Sequence, residues 1–365
     1  MTIAVQISSL TGTEINSGEN FNYQCFTLLA AKHPGDHFIF IFDSPFDPSL
    51  IIHPNITPVL LGPQIKNNLL QHYWYNYKLP KLLSKYNAAC FISNSHVCSL
   101  RTDAEQVIFI NDLSVFLQKP GRYTKKYAGR FFNTAANIIF SNNWTKEKFN
   151  RQYSGQEEKS MIIPPVTDPN YVPLSFNEKE LIKNRLTGGA EFFLYFDLDK
   201  SVEKTITVLK AFSLFKKWQH SGMQLLISTN DESAEKLKKN LSSYKFREHV
   251  KIITEEKDIA GILPPAYAAL FLPVKATIEY NMLLSLKCNA PLILASNELF
   301  ADFFKDAAAY TEVNEKAVSE KMMLLYKDEN RRNLLINNGQ SLARPLTREN
   351  AASQIWHAIN PVMEP

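Results

Sequence analysis

The sequence predicts a two-lobed α/β protein in which each lobe is a doubly wound, Rossmann-like parallel sheet. Three observations predict this: a length of 365 residues, an alternation of strand-like and helical patterns, and a Pro-rich break near the middle. Domains usually run to roughly 100–200 residues, so a chain of this length suits two. The 45% of hydrophobic and 21% of charged residues exclude a disordered or fibrous chain.

The alternation begins at once in the first lobe, which is predicted to span residues 1–165. The runs IAVQISSL and HFIFIFD are rich in β-branched and aromatic residues, and they flank the helical pattern FNYQCFTLLAAKH. Strand, helix and strand in this order indicate a βαβ unit and therefore a parallel sheet. Further strands are predicted at 89–93, 107–110, 137–141 and 160–163, and helices near 67–86, 122–135 and 145–152.

The segment PPVTDPNYVPLS separates the lobes, because its prolines fix φ and remove backbone donors. The second lobe is predicted over 170–345, and its final pattern, after Tyr310, is helical. A last helix within about 346–365 is predicted to pack back on the first lobe. The strands of the second lobe are predicted at FFLYF, MQLLIS, VKII, ALFLP and PLIL, and its helices near 177–186, 202–217, 256–263 and 279–288.

Several classes of protein are excluded by what the sequence lacks. The first ten residues carry no positive charge or long apolar run, and no window approaches about 18 apolar residues, so a cytoplasmic location is expected. The four cysteines show no CxxC spacing, which speaks against a zinc site or a disulfide framework. No HExxH, GxSxG, P-loop or EF-hand pattern occurs either.

The small positive charge is concentrated in the first lobe. Residues 1–165 hold 15 Lys and Arg against 11 Asp and Glu, whereas the remainder holds 25 of each. Much of the excess lies in one tyrosine-containing segment with Lys119, Arg122, Lys126 and Arg130. The last three share a helix face. The segment is interpreted as a solvated face or as a contact for anionic lipid or a phosphorylated acceptor; no motif favours nucleic acid.

Polar residues that follow strands are the candidate site of the first lobe, because ligands of such sheets bind beyond the carboxyl ends of strands. Gly18 stands before a helix whose free N–H groups suit an anion, although an ordinary capped turn explains it equally. His96 follows the strand at 89–93, and Asn111 with Asp112 follows the next strand. These side chains suit sugar hydroxyls or acid/base roles, while a helix N-cap also explains Asp112.

In the second lobe the segment YFDLDKSVEKT connects a strand to a helix. It contains four charged side chains, Asp197, Asp199, Lys200 and Lys204. They suit a diphosphate and its countercharge, or else form a charged loop that starts a helix. Glu279 opens a later helix, where a carboxylate either offsets the helix dipole or accepts hydrogen bonds from a ribose.

Five segments, in order along nearly the whole chain, resemble motifs of the retaining "group 1" GT-B glycosyltransferases, which include many bacterial mannosyl- and glucosyltransferases. VIFINDLSVFLQKP resembles their tIHDL segment, NIIFSNNWTKEKF their "vS..tk..l" segment and MIIPPVTDPNYVP their crossing between lobes. FFLYFDLDKSVEKTITVLKAF is similar to "yfLyvGtl.prKNl..ll.AF", and ALFLPVKATIEYNMLLSLKCNAPLI to "..v.PS..EGfGlp.lEAmacG.PVi".

The resemblance implies two lobes facing a cleft and transfer of a sugar from a nucleoside diphosphate sugar to a hydroxyl, with retention and without a bound metal or other cofactor. Cell-surface glycan or polysaccharide synthesis is the implied setting, with a glycan or lipid-linked acceptor. The resemblance implies that the first lobe holds the acceptor through His96, Asn111 and Asp112. The second would hold the donor through Lys204 and Glu279.

The departures from the family pattern fall in the donor lobe. Val202 and Glu203 stand where the family has an Arg-Lys pair for the diphosphate. Counted back from Pro291, Ala276 and Leu284 stand at its two glutamates, and counted forward from Pro273 the first falls on Thr277. Asp197 replaces a glycine and Asn111 a histidine. Either neighbouring residues substitute, or the protein is an inactive relative that binds glycan or a partner. An epimerase is a third, less favoured alternative.

Overall fold

The computed structural model describes residues 1–7, 18–65, 67–94, 96–110, 113, 122–167, 169–254 and 259–359. The chain divides into two compact units. Unit 1 comprises Met1–Val166 together with Leu346–Pro365, and unit 2 comprises Thr167–Pro345. Each unit contains its own parallel sheet, so the predicted fold class is confirmed.

The sheet of unit 1 has seven parallel strands. They are β1 Thr2–Gln6, β2 His37–Phe42, β3 Ile56–Leu60, β4 Cys90–Ser93, β5 Glu105–Ile110, β6 Asn137–Phe140 and β7 Ser160–Ile162. Their order in the sheet is β3-β2-β1-β4-β5-β6-β7. Ile3 and Val5 of β1 pack in the core on one face and Ala4 in the core on the other. Both faces are therefore covered, which is why the strands are continuous apolar runs.

The helices of unit 1 include one that the sequence pattern describes only in part. In the described residues before unit 2 they are α1 Gly18–Lys32, α2 Asn68–Tyr73, α3 Leu79–Lys85, α4 Arg122–Thr134 and α5 Asn143–Gln152. The helix predicted over 67–86 contains a π-helical turn, Trp74–Lys78, between α2 and α3. A π turn holds an extra residue, and here Trp74, Tyr75 and Asn76 are buried in succession. A regular 3.6-residue period does not bury three neighbours.

The sheet of unit 2 has six parallel strands. They are β8 Phe192–Phe196, β9 Gln224–Ser228, β10 Val250–Ile253, β11 Ala268–Phe271, β12 Leu292–Ala295 and β13 Ala308–Thr311. Their order is β10-β9-β8-β11-β12-β13. The first three strands of the unit therefore extend to one side and the last three to the other, as in dinucleotide-binding sheets. The sequence pattern does not predict β13, because its AAYT run lacks β-branched residues except at its end.

Eight helices surround this sheet in the described part of unit 2. They are α6 Phe176–Thr187, α7 Val202–Gln219, α8 Asp231–Leu241, α9 Ile259–Ile262, α10 Tyr280–Lys287, α11 Glu298–Phe304, α12 Glu315–Lys327 and α13 Glu329–Ala343. α7 begins after the N-cap Ser201, whose side chain accepts from the N–H of Lys204. No helix of the described ranges is long and apolar enough to cross a membrane.

The final helix, α14 Arg348–Ile359, belongs to unit 1 and packs against α1. The rings of His33 and Trp356 stack at 3.5 Å, and Asn137 Nδ2 donates to the carbonyl of Ala358 at 2.6 Å. Ala352 and Ile355 are fully buried in the same core as β1. The core of unit 1 is thus built from both ends of the chain.

Candidate functional site

The strand order of unit 2 marks one place where ligands of such sheets bind. β8 has β9 on one side and β11 on the other, so the chain connections leave these neighbouring strands in opposite directions. A crevice forms at such a switch point, beyond the carboxyl ends of the strands. Two segments lie there: 197–201, which follows β8, and 272–279, which follows β11.

Asp197 shapes the first of these segments from inside the unit. The residue is only 1% exposed. Its Oδ2 accepts from Thr229 Oγ1 at 2.9 Å, and its Oδ1 accepts from the backbone N–H of Ser201 at 3.1 Å. The carboxylate is therefore used to hold the turn into α7. In this structure Asp197, which is predicted to contact the ligand, supports the loop.

Asp199 and Lys204 join the two segments. Lys204 Nζ donates to Asp199 Oδ2 at 2.7 Å and to the carbonyl of Leu272 at 2.9 Å. The same Oδ2 accepts from the backbone N–H of Val274 at 3.0 Å. The two side chains are 23% and 17% exposed, so the pair is partly shielded from solvent. We refer to Asp199, Lys204 and their contacts with Leu272 and Val274 as the clasp.

The other two donor-side predictions, Lys200 and Glu279, lie near the clasp in sequence. Lys200 is exposed and has a φ of 53°, a left-handed conformation at the end of the tight turn. Glu279 occupies the N-cap position of α10, but its side chain makes no capping hydrogen bond. Its Oε1 accepts instead from Thr277 Oγ1 at 2.5 Å. The carboxylate therefore stands at the start of α10, as the dipole interpretation expects, without capping a backbone N–H.

The corresponding switch point of unit 1 lies between β1 and β4. His96 comes soon after β4, is half-buried and has a φ of 55°. Gly18 is the first residue of α1. Asn111 and Asp112, which are predicted to join them, lie outside the described residues. The structure thus places His96 at the expected edge of the sheet. The predicted role of Asn111 and Asp112 beside it stays a prediction.

A buried polar network, which the sequence analysis does not single out, lies at this same edge. Gln6, at the end of β1, is 7% exposed. Its Oε1 accepts from Tyr75 Oη at 2.9 Å and from Ser93 Oγ at 3.3 Å, and Asn94 Nδ2 donates to its carbonyl at 2.7 Å. The only sequence signal is the single glutamine in the apolar run IAVQI. Because its polar atoms are hydrogen-bonded, the burial of the Gln6 side chain costs little free energy.

The basic segment of the sequence analysis forms the outer face of α4. Arg122, Lys126 and Arg130 are exposed on this helix, whereas Phe131 and Phe132 are buried. Lys119 lies outside the described residues. The predicted shared face of the three cations therefore matches the burial pattern of α4.

Ring contacts extend this face across α2 and the π turn. The cations of Lys126 and Arg130 lie 5.1 and 5.7 Å from the ring centroid of Tyr127. The ring of His72 lies 6.2 Å from that of Tyr127 and 6.0 Å from that of Tyr77. We name the whole set the cation–tyrosine row. Its members are Lys126, Arg130, Tyr127, His72, Tyr77 and Arg101, whose guanidinium lies 4.5 Å from the Tyr77 ring centroid.

The described residues hold no cluster of three or more His, Cys, Asp and Glu side chains suited to a metal ion. All four cysteines are free and buried. Burial raises the pKa of Cys90, Cys98 and Cys288 to about 12 each. These thiols are protonated at neutral pH, which makes them poor nucleophiles and poor metal ligands.

Comparisons with known proteins find similarity in structure only. No family model matches the chain, and no curated protein matches its sequence. A glycosyltransferase from Rickettsia africae is similar in structure, with a TM-score of 0.76, 12% identity and coverage of 100% of this chain and 98% of that one. WaaG, a glycosyltransferase involved in lipopolysaccharide biosynthesis, gives a TM-score of 0.70 at 15% identity, covering 97% and 99%.

HepE from Anabaena, solved in complex with UDP-glucose, is similar over 99% of this chain and 100% of its own. The TM-score is 0.72 and the identity 11%. The likeness thus extends over both sheets and the final helix in proteins of nearly equal length. With two parallel sheets of seven and six strands, the chain has the GT-B glycosyltransferase fold.

Proposed function

We propose that the chain is a glycosyltransferase that moves a sugar from a nucleoside diphosphate sugar to a hydroxyl acceptor with retention of configuration. The observation that carries the proposal is the switch point of unit 2, where the clasp and the N-terminus of α7 lie beyond β8 and β11. Open α/β sheets bind nucleotides at such points. The fold shared with a protein solved with UDP-glucose supports this assignment.

Stabilisation of the departing diphosphate is the main chemical task of such a site. Negative charge builds on the leaving group in the transition state, and a fixed positive charge lowers the barrier. Val202 and Glu203 replace the Arg-Lys pair of the family, so Lys204 supplies the cation together with the positive end of the α7 dipole. Glu279 is assigned to the ribose hydroxyls. No bound metal is required in this scheme.

The acceptor is assigned to unit 1. His96 stands at the switch point of that unit, and Asn111 with Asp112 is proposed to complete the acceptor site. An imidazole there suits transfer of a proton from the acceptor hydroxyl. The acceptor class is a glycan or a lipid-linked sugar of the cell surface, which the shared fold with WaaG supports.

Ligand binding tests the donor assignment directly. Calorimetry and thermal melting with UDP-, GDP- and ADP-glucose should identify at least one nucleotide sugar that raises the melting temperature, because a ligand of the native state stabilises it by mass action. Lys204→Met and Glu279→Gln should each weaken the binding of that nucleotide sugar. No response to any of the three at millimolar concentration would contradict the enzyme assignment.

A second function is favoured by the departures from the family pattern. The Arg-Lys positions hold Val202 and Glu203, and Lys204 is already engaged by Asp199 and Leu272. A GT-B protein that binds glycan or a partner protein without transferring sugar fits these features, because fold does not guarantee activity. Glycan binding that is independent of nucleotide, with no sugar transferred, would establish this function instead.

We also propose that unit 1 contacts anionic membranes through the cation–tyrosine row and the exposed face of α4. Residues 48–102 and 113–146 contain no Asp or Glu, so these elements carry one sign of charge. Leu69 of α2 is 82% exposed, and Tyr73 and Tyr77 are 43% and 40% exposed. Cations beside exposed aromatic and aliphatic side chains suit the boundary between headgroups and acyl chains.

Beside Arg101 lies an open groove of about 650 Å³ that Lys81, Lys85 and one acid, Asp103, also line. The groove adds cations to one end of the row. Each Lys or Arg near an anionic surface contributes about 1 kcal/mol, an effect that falls off within a Debye length. The proposed membrane contact is therefore predominantly electrostatic.

Vesicle sedimentation tests the membrane contact. The protein should bind vesicles of phosphatidylglycerol and phosphatidylcholine, release at about 0.5 M salt because screening is then strong, and ignore vesicles of phosphatidylcholine alone. The variant R122A/K126A/R130A should lose most binding, whereas K236A/K238A/K239A on α8 removes equal charge elsewhere and should retain it. Equal losses in both variants would contradict the assignment of this surface.

A further inference from the structure

We propose that the carboxylate of Asp199 is a built-in competitor for the donor diphosphate, so that a phosphate group must displace it from Lys204 in order to bind. The inference rests on the donor site proposed above. It adds a residue that sets the affinity of that site for anions. Asp199 acts in this scheme as a gate on Lys204 and takes no part in the sugar transfer itself.

The convergence of two donors on one oxygen carries the inference. Asp199 Oδ2 accepts from Lys204 Nζ at 2.7 Å and from the backbone N–H of Val274 at 3.0 Å. A phosphate oxygen placed at the position of Oδ2 would meet the same ammonium and the same N–H. Charge-assisted hydrogen bonds of this kind are those by which proteins hold phosphates. The carboxylate oxygen thus occupies a position already fitted to an anionic oxygen.

Lys204 is held where a ligand would need it. Its second contact, to the carbonyl of Leu272 at 2.9 Å, fixes the ammonium beyond the end of β11. The two contacts use two of the three protons of the ammonium group. Exchange of one anionic acceptor for another therefore leaves the position of Lys204 unchanged.

Displacement of Asp199 does not require the loop to unfold. The turn from β8 into α7 is anchored by Asp197, whose carboxylate binds Thr229 and the N–H of Ser201. These anchors are separate from the contacts that Asp199 makes. A change of the Asp199 rotamer frees Lys204 and the N–H of Val274 while the anchors stay in place. The partial exposure of the pair, 23% and 17%, leaves an anion access to it.

Calorimetry with inorganic pyrophosphate and with UDP tests the inference on the full chain. Asp199→Asn keeps an acceptor for the N–H of Val274 and removes the competing charge. We expect it to bind pyrophosphate about tenfold more tightly than the natural chain, since a partly buried ion pair is lost. Lys204→Met should abolish measurable binding, and D199N/K204M should resemble Lys204→Met.

A matched control is an ion pair whose lysine lies on the same helix as Lys204. Glu315 Oε2 lies 3.8 Å from Lys210 Nζ of α7, and both side chains are exposed. Glu315→Gln, at the start of α12, removes the same charge from an ion pair of a lysine on α7 and should leave pyrophosphate binding unchanged. Thermal melts of every variant confirm that it is folded before it is titrated.

Three outcomes overturn the inference: unchanged or weaker binding by Asp199→Asn, a gain that persists in D199N/K204M, or an equal gain in Glu315→Gln. Weaker binding would make Asp199 a residue that positions Lys204. If UDP binds the natural chain and Asp199→Asn with equal affinity, the donor site is supported and the role of Asp199 as a competitor is contradicted. If Asp199→Asn binds pyrophosphate more tightly but no sugar is transferred, the role of Asp199 as a competitor is supported and the proposed transferase activity is contradicted.

Discussion

The two units place different chemistry at the same topological position. At the switch point of unit 1, Gln6 and Ser93 form a buried network of neutral hydrogen bonds. At that of unit 2, Asp197, Asp199 and Lys204 form charged contacts around the start of α7. Neutral networks fix a shape regardless of ionic conditions, whereas partly exposed charges respond to salt and to ionic ligands. The comparison predicts that the switch point of unit 2 responds to salt and to ionic ligands more strongly than that of unit 1.

Substitution of Asp197 should give the largest loss of stability. Asp197→Ala removes the acceptor for the buried Thr229 Oγ1 and for the partly buried N–H of Ser201, which leaves both donors without this partner. A cost of about 3 kcal/mol in the free energy of unfolding is expected, because hydrogen bonds to charged groups are the strong ones. Urea denaturation measures it. Asp197→Asn keeps one acceptor oxygen and should cost less; equal losses would show that the charge itself is what matters.

Substitution of Gln6 should cost somewhat less, about 2 kcal/mol, because its partners are neutral. Gln6→Leu removes the acceptor of the Tyr75 hydroxyl. The double variant Gln6→Leu/Tyr75→Phe removes donor and acceptor together, so its cost should be smaller than the sum of the single costs. Denaturation at low and high salt should give the same loss. A strong salt dependence would contradict the neutral network.

The rate of thiol labelling shows which unit is destabilised by each of these two substitutions. Cys90 and Cys98 are buried in unit 1 and Cys288 in unit 2, and burial raises each pKa to about 12. The native thiols should therefore react slowly with a thiol reagent. Gln6→Leu should speed labelling of Cys90, and Asp197→Ala that of Cys288. Faster labelling of Cys288 in Gln6→Leu, or of Cys90 in Asp197→Ala, would contradict the assignment of these networks to their units.

The exposed pair of Lys210 and Glu315 should give the smallest effect. Its side chains are 64% and 52% exposed, compared with 17% and 23% in the clasp. Lys210→Met should change the free energy of unfolding by no more than about 0.5 kcal/mol. Chemical denaturation checks this, and a loss above 1 kcal/mol would show that partial burial is not what distinguishes the clasp.

Strand-forming runs make most of the fold predictable from the sequence. FFLYF and HFIFIF are aromatic and β-branched, and both form strands where the pattern places them. The alanine-rich β13 carries no such signal and forms because it pairs with the preceding strand, β12, at the edge of the sheet. The π turn at Trp74 escapes prediction for a related reason, since packing against the rest of unit 1 overrides the regular helical period.

The site was predictable as a region but not as a set of contacts. The sequence places Asp199 and Lys204 beside a strand end, because Asp199 lies in the turn after β8 and Lys204 in the first turn of α7. The carbonyl that Lys204 binds lies 68 residues further along, and the Ser93 hydroxyl that donates to Gln6 lies 87 residues further along. Such partners are set by strand order, which a single sequence does not reveal. Whether a charge is free for a ligand is therefore visible only in the structure.

The return of α14 to unit 1 bears on the order in which the units form during synthesis. Unit 2 is contiguous, so it is complete once residue 345 has left the ribosome. Unit 1 waits for Ala352, Ile355 and their neighbours to cover α1. Domains usually fold in their order of synthesis. Here we expect the unit that is made first to finish last, and protease resistance of stalled chains ending before and after α14 would measure the delay.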